Sequence, residues 1–576
     1  MCKERVFSAC LACLFLTALS VFSIGQTQEM PGRIRVMKKE ISRNFDALKK
    51  EKEPPYYISY SIDEVRIQSV SAAFGAVTNK NESKTAYLRI NLRTGSYQLD
   101  NSHELRSDNL NMLRSRLSIP IRAPLDESPE GLALILWRDT DKAYRDAVET
   151  LAKVKSEQSV KIAEEDQSAD FSKVEPHVSI EKPLDIQVDL DKWAARIRKY
   201  TEPFKHNPYI NNSNGYFQSE VRNKYLVDTE GTVVSTPVNY MRLQITANTK
   251  ADDGMELPLY LSYFGYTESD FPSDSSILSD VDRVIATLEK LRTAPVVEPF
   301  AGPAILTGRA SGVFFHEILG HRLEGHRLKS ESDAQTFKKK VGEKILPDFM
   351  SIIFDPTLRE FQGLILSGAF HFDDEGTRGE RVVSIKNGVL QDFLMGRTPA
   401  DRFPRSNGHG RAQPGMKPVS RQSNLIIEST NMLEEQKLRQ MLIAECKRTN
   451  KPFGLLFDEI SGGSTSTGRS SANVFNVVPL VVYRVYADGR PDELVRGVNM
   501  IGTPLTVFGK IIATGEKMEA FNGICGAESG SVPVSAVSPS ILVSEIEVQK
   551  KAKSQEKPPI LPPPTRTVVF QERGEK

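Results

Sequence analysis

Three of the eight histidines in this 576-residue chain fall inside "FFHEILGHRLEGH", residues 314–326. Two histidines four apart around a glutamate, H-E-x-x-H on a helix, hold zinc and supply a general base. Here His316 and His321 are five apart, with Glu317 between them. At about 100° per residue with His316 at zero, Gly320 falls at about 40°, Glu324 at about 80°, Glu317 at about 100° and His321 at about 140°. Ile318, Leu319, Leu323 and Phe315 fall on the opposite side, between roughly 200° and 340°. Arg322 is the one misfit. The bland alternative is an amphipathic helix whose polar face includes histidines by chance.

Two imidazoles about 140° apart on a regular helix do not converge on one tetrahedral ion. A single π-type turn would align them, and Gly320 is a residue that permits such distortion. The spacing therefore predicts a helix locally widened or broken at Gly320. A catalytic zinc takes three protein ligands and a water. Glu324 and His326 are nearby candidates for the third. A distant one is Cys525 in "NGICGAESG", expected in a tight turn. Cys446 follows Leu438 and Leu442 at helical spacing and reads as core. A Cys446–Cys525 disulfide competes with a metal role, so the residues alone leave Cys525 open.

The elements that must position these groups follow from periodicity. Residues 33–52 read as a polar helix stopped by Pro54-Pro55. Ile58/Tyr60/Ile62, Leu88/Ile90/Leu92 and Met241/Leu243/Ile245 alternate as half-buried strands do. Residues 126–200 read as a helical insertion with a solvated face. Val281, Ile285, Leu288 and Leu291 mark an amphipathic helix, and the proline-broken "TAPVVEPFAGP" marks a domain boundary. The pattern predicts an α+β protein. Residues 26–295 form an N-terminal α/β domain, 296–548 a strand-rich C-terminal domain carrying the histidine helix, and 549–576 a disordered proline-rich tail. "MLEEQKLRQMLIAECKR" is a helix within the second. "SGGSTSTGR", 461–469, lacks the Gly-Lys-Ser/Thr of a phosphate loop and reads as a loop over a cleft.

With 75 basic and 74 acidic residues, net charge +1, nothing points to nucleic acid. Lys3 and Arg5 precede "VFSACLACLFLTALSVFSIG", the pattern of an export signal cleaved near Gly25, with an uncleaved anchor as the alternative. The expected location is periplasmic or extracellular. No other stretch reaches the ~18 apolar residues that span a bilayer.

"ASGVFFHEILGHRLEGHR" and "FNGICGAESGSVPV" together resemble the TldD/PmbA family of zinc metallopeptidases. "FDDEGTRGERVVSIKNGVL", "RSNGHGRAQPGMKPVSRQSNLIIES" and "ADGRPDELVRGVNMIGTPLTVFGKI" resemble its successive C-terminal blocks in the family's order. The resemblance implies zinc held by His316, His321 and Cys525, with Glu317 as general base. It also implies cleavage of small or unfolded peptides held extended in a cleft. The expected partner is a second copy or a paralogue, in a dimer. Glu324 is read as orienting a ligand histidine, with a surface salt bridge as the alternative. His409 and Arg411 are read as contacting substrate or steadying a developing negative charge, with a glycine-rich turn of incidental polar residues as the alternative. Some members lack the zinc motif and serve as non-catalytic partners; this chain keeps all four residues. The alternative function is a zinc-containing binding or assembly subunit, with Glu324 or His326 closing the coordination shell.

Overall fold

The computed structural model describes residues 30–105, 120–126, 128–159, 166–330, 337–465 and 475–551, together with 561 and 564. The N-terminal apolar run, most of the proline-rich tail and residues 466–474 lie outside the described residues. Among the described residues, no helix is long and apolar enough to cross a membrane.

The first half is built on long antiparallel strands, Pro55–Ala73, Ala76–Thr94, Ile210–Asp228, Val233–Lys250 and Glu256–Gly265. The alternating residues meet across the ladder: Ile58 pairs with Leu92, Tyr60 with Ile90 and Ile62 with Leu88. Their side chains share one face, which must be covered. The helices Gly32–Leu48 and Pro129–Gln158 cover one end through Ile34, Met37, Ile41, Leu132 and Leu136. Leu190–Thr201 and Asp274–Thr293 cover the other through Trp193, Ile197, Ile277, Val281 and Leu288. The helices thus segregate to one face of an antiparallel sheet.

The opposite face is polar and buried all the same. Arg222 spans Asp63 and Asp374, at 2.8 Å each, and Lys224 stands 2.8 Å from Asp374. Buried charges are tolerable when paired and hydrogen-bonded. Burial alone would raise the Asp374 carboxyl, but Arg222 and Lys224 outweigh it and hold it far below the usual range. Asp374 belongs to the "FDDEGTRGER" block, so this network ties the N-terminal sheet to the C-terminal half.

Among the described residues, the second half is built on a mixed sheet of twelve strands, as the α+β reading expects. Five of them close on themselves: Phe300–Leu306 pairs with Phe453–Thr465, then Phe475–Tyr486, Val498–Gly502 and Gly530–Lys550, which returns to Phe300–Leu306. Closure removes exposed edges and makes a rigid frame. The first five residues of "SGGSTSTGR" continue the Phe453–Thr465 strand. Glu435–Arg448 is the expected helix, with Cys446 buried beside Leu438 and Leu442. Cys446 and Cys525 are both free thiols, so the disulfide alternative does not hold.

Candidate metal centre

The helix Gly308–Ile318 is buried on almost every side. Val313, Phe314, Phe315 and Ile318 join the main core with Leu306, Phe457 and Ile541. Its small residues decide where it lies. A Cβ on Gly308 would stand 2.6 Å from Ser538 O, and one on Gly312 2.9 Å from Ala536 O. Ser311 and Ser538 hydroxyls meet at 2.8 Å. Positions 308, 312 and 316 form one i, i+4, i+8 stripe. Seating the two glycines against the Gly530–Lys550 strand therefore carries His316 onto its hairpin partner, Ile511–Ala527, which bears Cys525.

The helix breaks where the spacing requires, but by tightening rather than widening. Regular α-helix ends at Ile318 and a 3₁₀ turn runs Gly320–Leu323, so the expected π turn is not formed. The orphaned carbonyls are each taken up. Leu319 N–H donates to Phe315 O at 3.0 Å, Gln422 Nε2 to His316 O at 3.2 Å and Arg322 Nη1 to Ile318 O at 2.8 Å. Arg322, the misfit on the helical wheel, is thus a C-terminal cap whose charge also suits that end of the helix. Gly320 serves space rather than unusual dihedrals. A Cβ there would stand 1.9 Å from Gln422 Oε1 and 2.3 Å from its Cδ. We expect Gly320→Ala to displace Gln422, uncap His316 and cost about 1–3 kcal/mol, as overpacking does, read by chemical denaturation.

The break brings the three donors together. Ligand atoms of His316, His321 and Cys525 all lie within 4.8 Å of one another, and all three residues are buried. Cys525 Sγ is 3.4 Å from His321 Nε2. One ring nitrogen of His316, Nδ1, is buried with no hydrogen-bond partner. Burial opposes ionisation of Cys525, but His316 and His321 outweigh it and hold the thiol well below its usual range. Burial likewise opposes charge on His321, yet Glu324 and Cys525 push it well above the usual imidazole range. A buried thiolate and two imidazoles, one with an unsatisfied nitrogen, make a borderline-soft donor set that fits zinc. Cys525 lies in a strand opposite Val532, not in the expected turn; the turn follows at Glu528-Ser529, with Gly530 at φ 79°.

Glu317 is the one half-buried residue among 310–325 and faces the cluster, 4.0 Å from His321 Nε2. Glu324 is not on the helical arc. Its backbone is extended and bridges to Leu394. It reaches the site nonetheless: one oxygen lies 3.2 Å from His321 Nδ1, the other 3.0 Å from Arg327. Burial would raise its carboxyl, but His321, Arg327 and Arg421 hold it down to about 2. A carboxylate on the far nitrogen of a ligand histidine fixes tautomer and ring angle. His326 instead pairs with Glu528 at 2.5 Å.

His409 does not face the site. It is fully buried, with Nδ1 on Asn407 and Nε2 3.1 Å from Ser423 Oγ, and burial pushes its pKa down to about 3. Arg411 stacks on Phe370, its guanidinium carbon 4.7 Å from the ring centre, and donates to Gln422 O. Both are braces beneath the centre rather than substrate contacts. Sequence reasoning assigned no role to Arg327, Arg421, Gln422 or Glu528. The doubled string "GHRL", at 320–323 and 325–328, was a usable signal, since each copy forms a 3₁₀ turn and each arginine reaches back.

Residues 301–550 match the family model described as PmbA/TldA metallopeptidase C-terminal domain. The chain is 30% identical over 271 residues to a metalloprotease of Archaeoglobus fulgidus, covering 46% of this chain and 58% of that one. It is 26% identical over 274 residues to a zinc metalloprotease TldD homolog of Saccharolobus solfataricus, covering 47% and 57%. The matched stretch thus spans somewhat more than half of each relative. Among solved structures, TldE from Thermococcus kodakarensis shares the fold at a TM-score of 0.60 with 14% identity, over 89% of this chain and 100% of that one. The histidine helix, the Gln422 segment and the cysteine hairpin all fall inside the matched region, so the part of the chain that carries the donor cluster is the part similar to the C-terminal domain of the PmbA/TldA metallopeptidases.

Proposed function

We propose that this protein is an exported zinc metallopeptidase that hydrolyses small or unfolded peptides. His316, His321 and Cys525 would hold the metal and Glu317 would act as general acid–base. The single observation that carries the reading is the donor cluster: three protein ligands, with no fourth His, Cys, Asp or Glu joining them among the described residues. Three ligands suit a catalytic centre, whereas a structural zinc takes four. The two candidates for a fourth are engaged elsewhere, Glu324 with His321 Nδ1 and Arg327, His326 with Glu528. The relatives named metalloproteases, one of them a zinc metalloprotease, support the same reading.

Bound there, zinc would supply Lewis-acid polarisation of the scissile carbonyl and lower the pKa of the attacking water. The residues do the rest. Glu317, partly buried beside the cluster, takes a proton from the water as its oxygen attacks the carbonyl carbon. It then returns that proton to the amine nitrogen as the C–N bond breaks. Glu324 keeps His321 in the tautomer that leaves Nε2 toward the cluster. Extended peptides would be held by main-chain bonding to a strand edge.

Export is supported by the basic-then-apolar N-terminus. A partner of like or paralogous chain is supported by the shared fold with TldE. The test is hydrolysis of unstructured peptides by purified protein, expected to stop with chelator and return with zinc. Cleavage that is indifferent to chelator, or absent from zinc-loaded protein, would overturn the reading.

A further inference from the structure

We propose that Arg421 is a positioning residue for this centre: one buried guanidinium sets where the Cys525 sulfur stands relative to the two imidazoles. The inference rests on the metallopeptidase reading above. Arg421 is fully buried. Its Nη2 donates to Cys525 O at 2.7 Å, and its Nη1 to Gly530 O and Ser529 Oγ at 2.9 Å each. The guanidinium therefore grips the cysteine hairpin on both sides of its turn. Its Nε stands 3.5 Å from Glu324 Oε1, on the carboxylate that meets His321 Nδ1. The next residue, Gln422, donates to His316 O. Residues 421 and 422 alone thus reach all three segments that carry donors.

The dipeptide is itself held still. Arg421 N–H donates to His409 O at 2.9 Å, and Arg411 donates to Gln422 O. His409 in turn has both ring nitrogens committed, to Asn407 and Ser423. This explains why residues 406–411 are buried: they are the footing on which Arg421 and Gln422 stand.

Only a planar fork meets the geometry. Two donors must diverge to a carbonyl and to a second carbonyl with its neighbouring hydroxyl, while the charge beside them balances buried Glu324. A lysine ammonium supplies the charge but not the span.

The test compares wild type, Arg421→Gln and Arg421→Lys, prepared metal-free and titrated with cobalt(II) and with zinc in competition with a chelator. Wild type is expected to give the thiolate-to-cobalt charge-transfer band. Arg421→Gln should bind zinc about 10–100-fold more weakly, the range for a lost outer-shell partner, with a blunted thiolate band. Arg421→Lys should recover only part of the loss. Zinc affinity and band both at wild-type level in Arg421→Gln would overturn the proposal. Should that variant fail to fold, Arg421→Lys decides: wild-type affinity overturns it, and weakened affinity with a blunted band supports it. A wild-type protein with no thiolate band would instead overturn the metallopeptidase reading itself.

Discussion

Replacing Glu317 with glutamine is expected to lower peptide hydrolysis by about 10²–10⁴-fold while leaving the bound zinc unchanged, because a positioned acid–base group contributes on that scale. Three features make the substitution clean. Glu317 lies in the last regular turn before the break, so its backbone is fixed by the caps on either side, Gln422 at His316 O and Arg322 at Ile318 O. Its side chain is not among the three clustered donors. It is also half-buried rather than enclosed, unlike its neighbours His316 and Ile318, so water reaches it. Glutamine keeps shape and hydrogen-bonding capacity but cannot carry a proton from water to amine. Single-turnover hydrolysis on protein of matched zinc content reads the effect. A zinc-loaded Glu317→Gln protein as fast as wild type would remove Glu317 from the chemistry.

Replacing Cys525 with serine is expected to be more severe, since it abolishes the metal site itself. The cysteine sulfur is the soft donor of the set, and the two imidazoles beside it favour its ionised form against the cost of burial. A serine hydroxyl in the same position stays protonated and offers a weaker ligand. Zinc affinity should fall by more than the roughly 10–100-fold that loss of an outer-shell partner costs, and hydrolysis should fall with it. The fold should survive. Cys525 contributes only a small apolar cluster with Val532 and Val534, and Arg421 grips its carbonyl rather than its sulfur.

The sequence made the local parts of this design legible. Strand alternation at Ile58/Tyr60/Ile62 and Leu88/Ile90/Leu92 is a period-2 signal, and those residues pair directly. The five-residue histidine spacing forced a break at Gly320, and a break is there. Its form was not legible, because it is set by what arrives from elsewhere. Gln422 fills the space over Gly320, and whether the turn tightens or widens depends on that partner a hundred residues on. Glu324 shows a different limit. The helical wheel put it near the ligands on a helix that does not extend that far, and an extended bridge to Leu394 delivers it there instead. Arg421 and Gln422 gave no signal because polar residues in a strand-flanking stretch read as solvated. They are buried because distant segments meet around them: the cysteine hairpin, the histidine helix and the stretch 409–411. His409 misled for the same reason: a histidine between glycines reads as an exposed turn, and here it is a footing.

Zinc X-ray absorption on the metal-loaded protein tests the central claim most directly, with Cys525→Ser measured beside wild type. The expected wild-type spectrum has one sulfur at about 2.3 Å and lighter nitrogen or oxygen donors at about 2.0–2.1 Å, in a four-coordinate shell with two imidazoles and one non-protein oxygen. The sulfur shell should vanish in the variant. A wild-type spectrum without sulfur, or with four protein ligands closing the shell, would contradict the account.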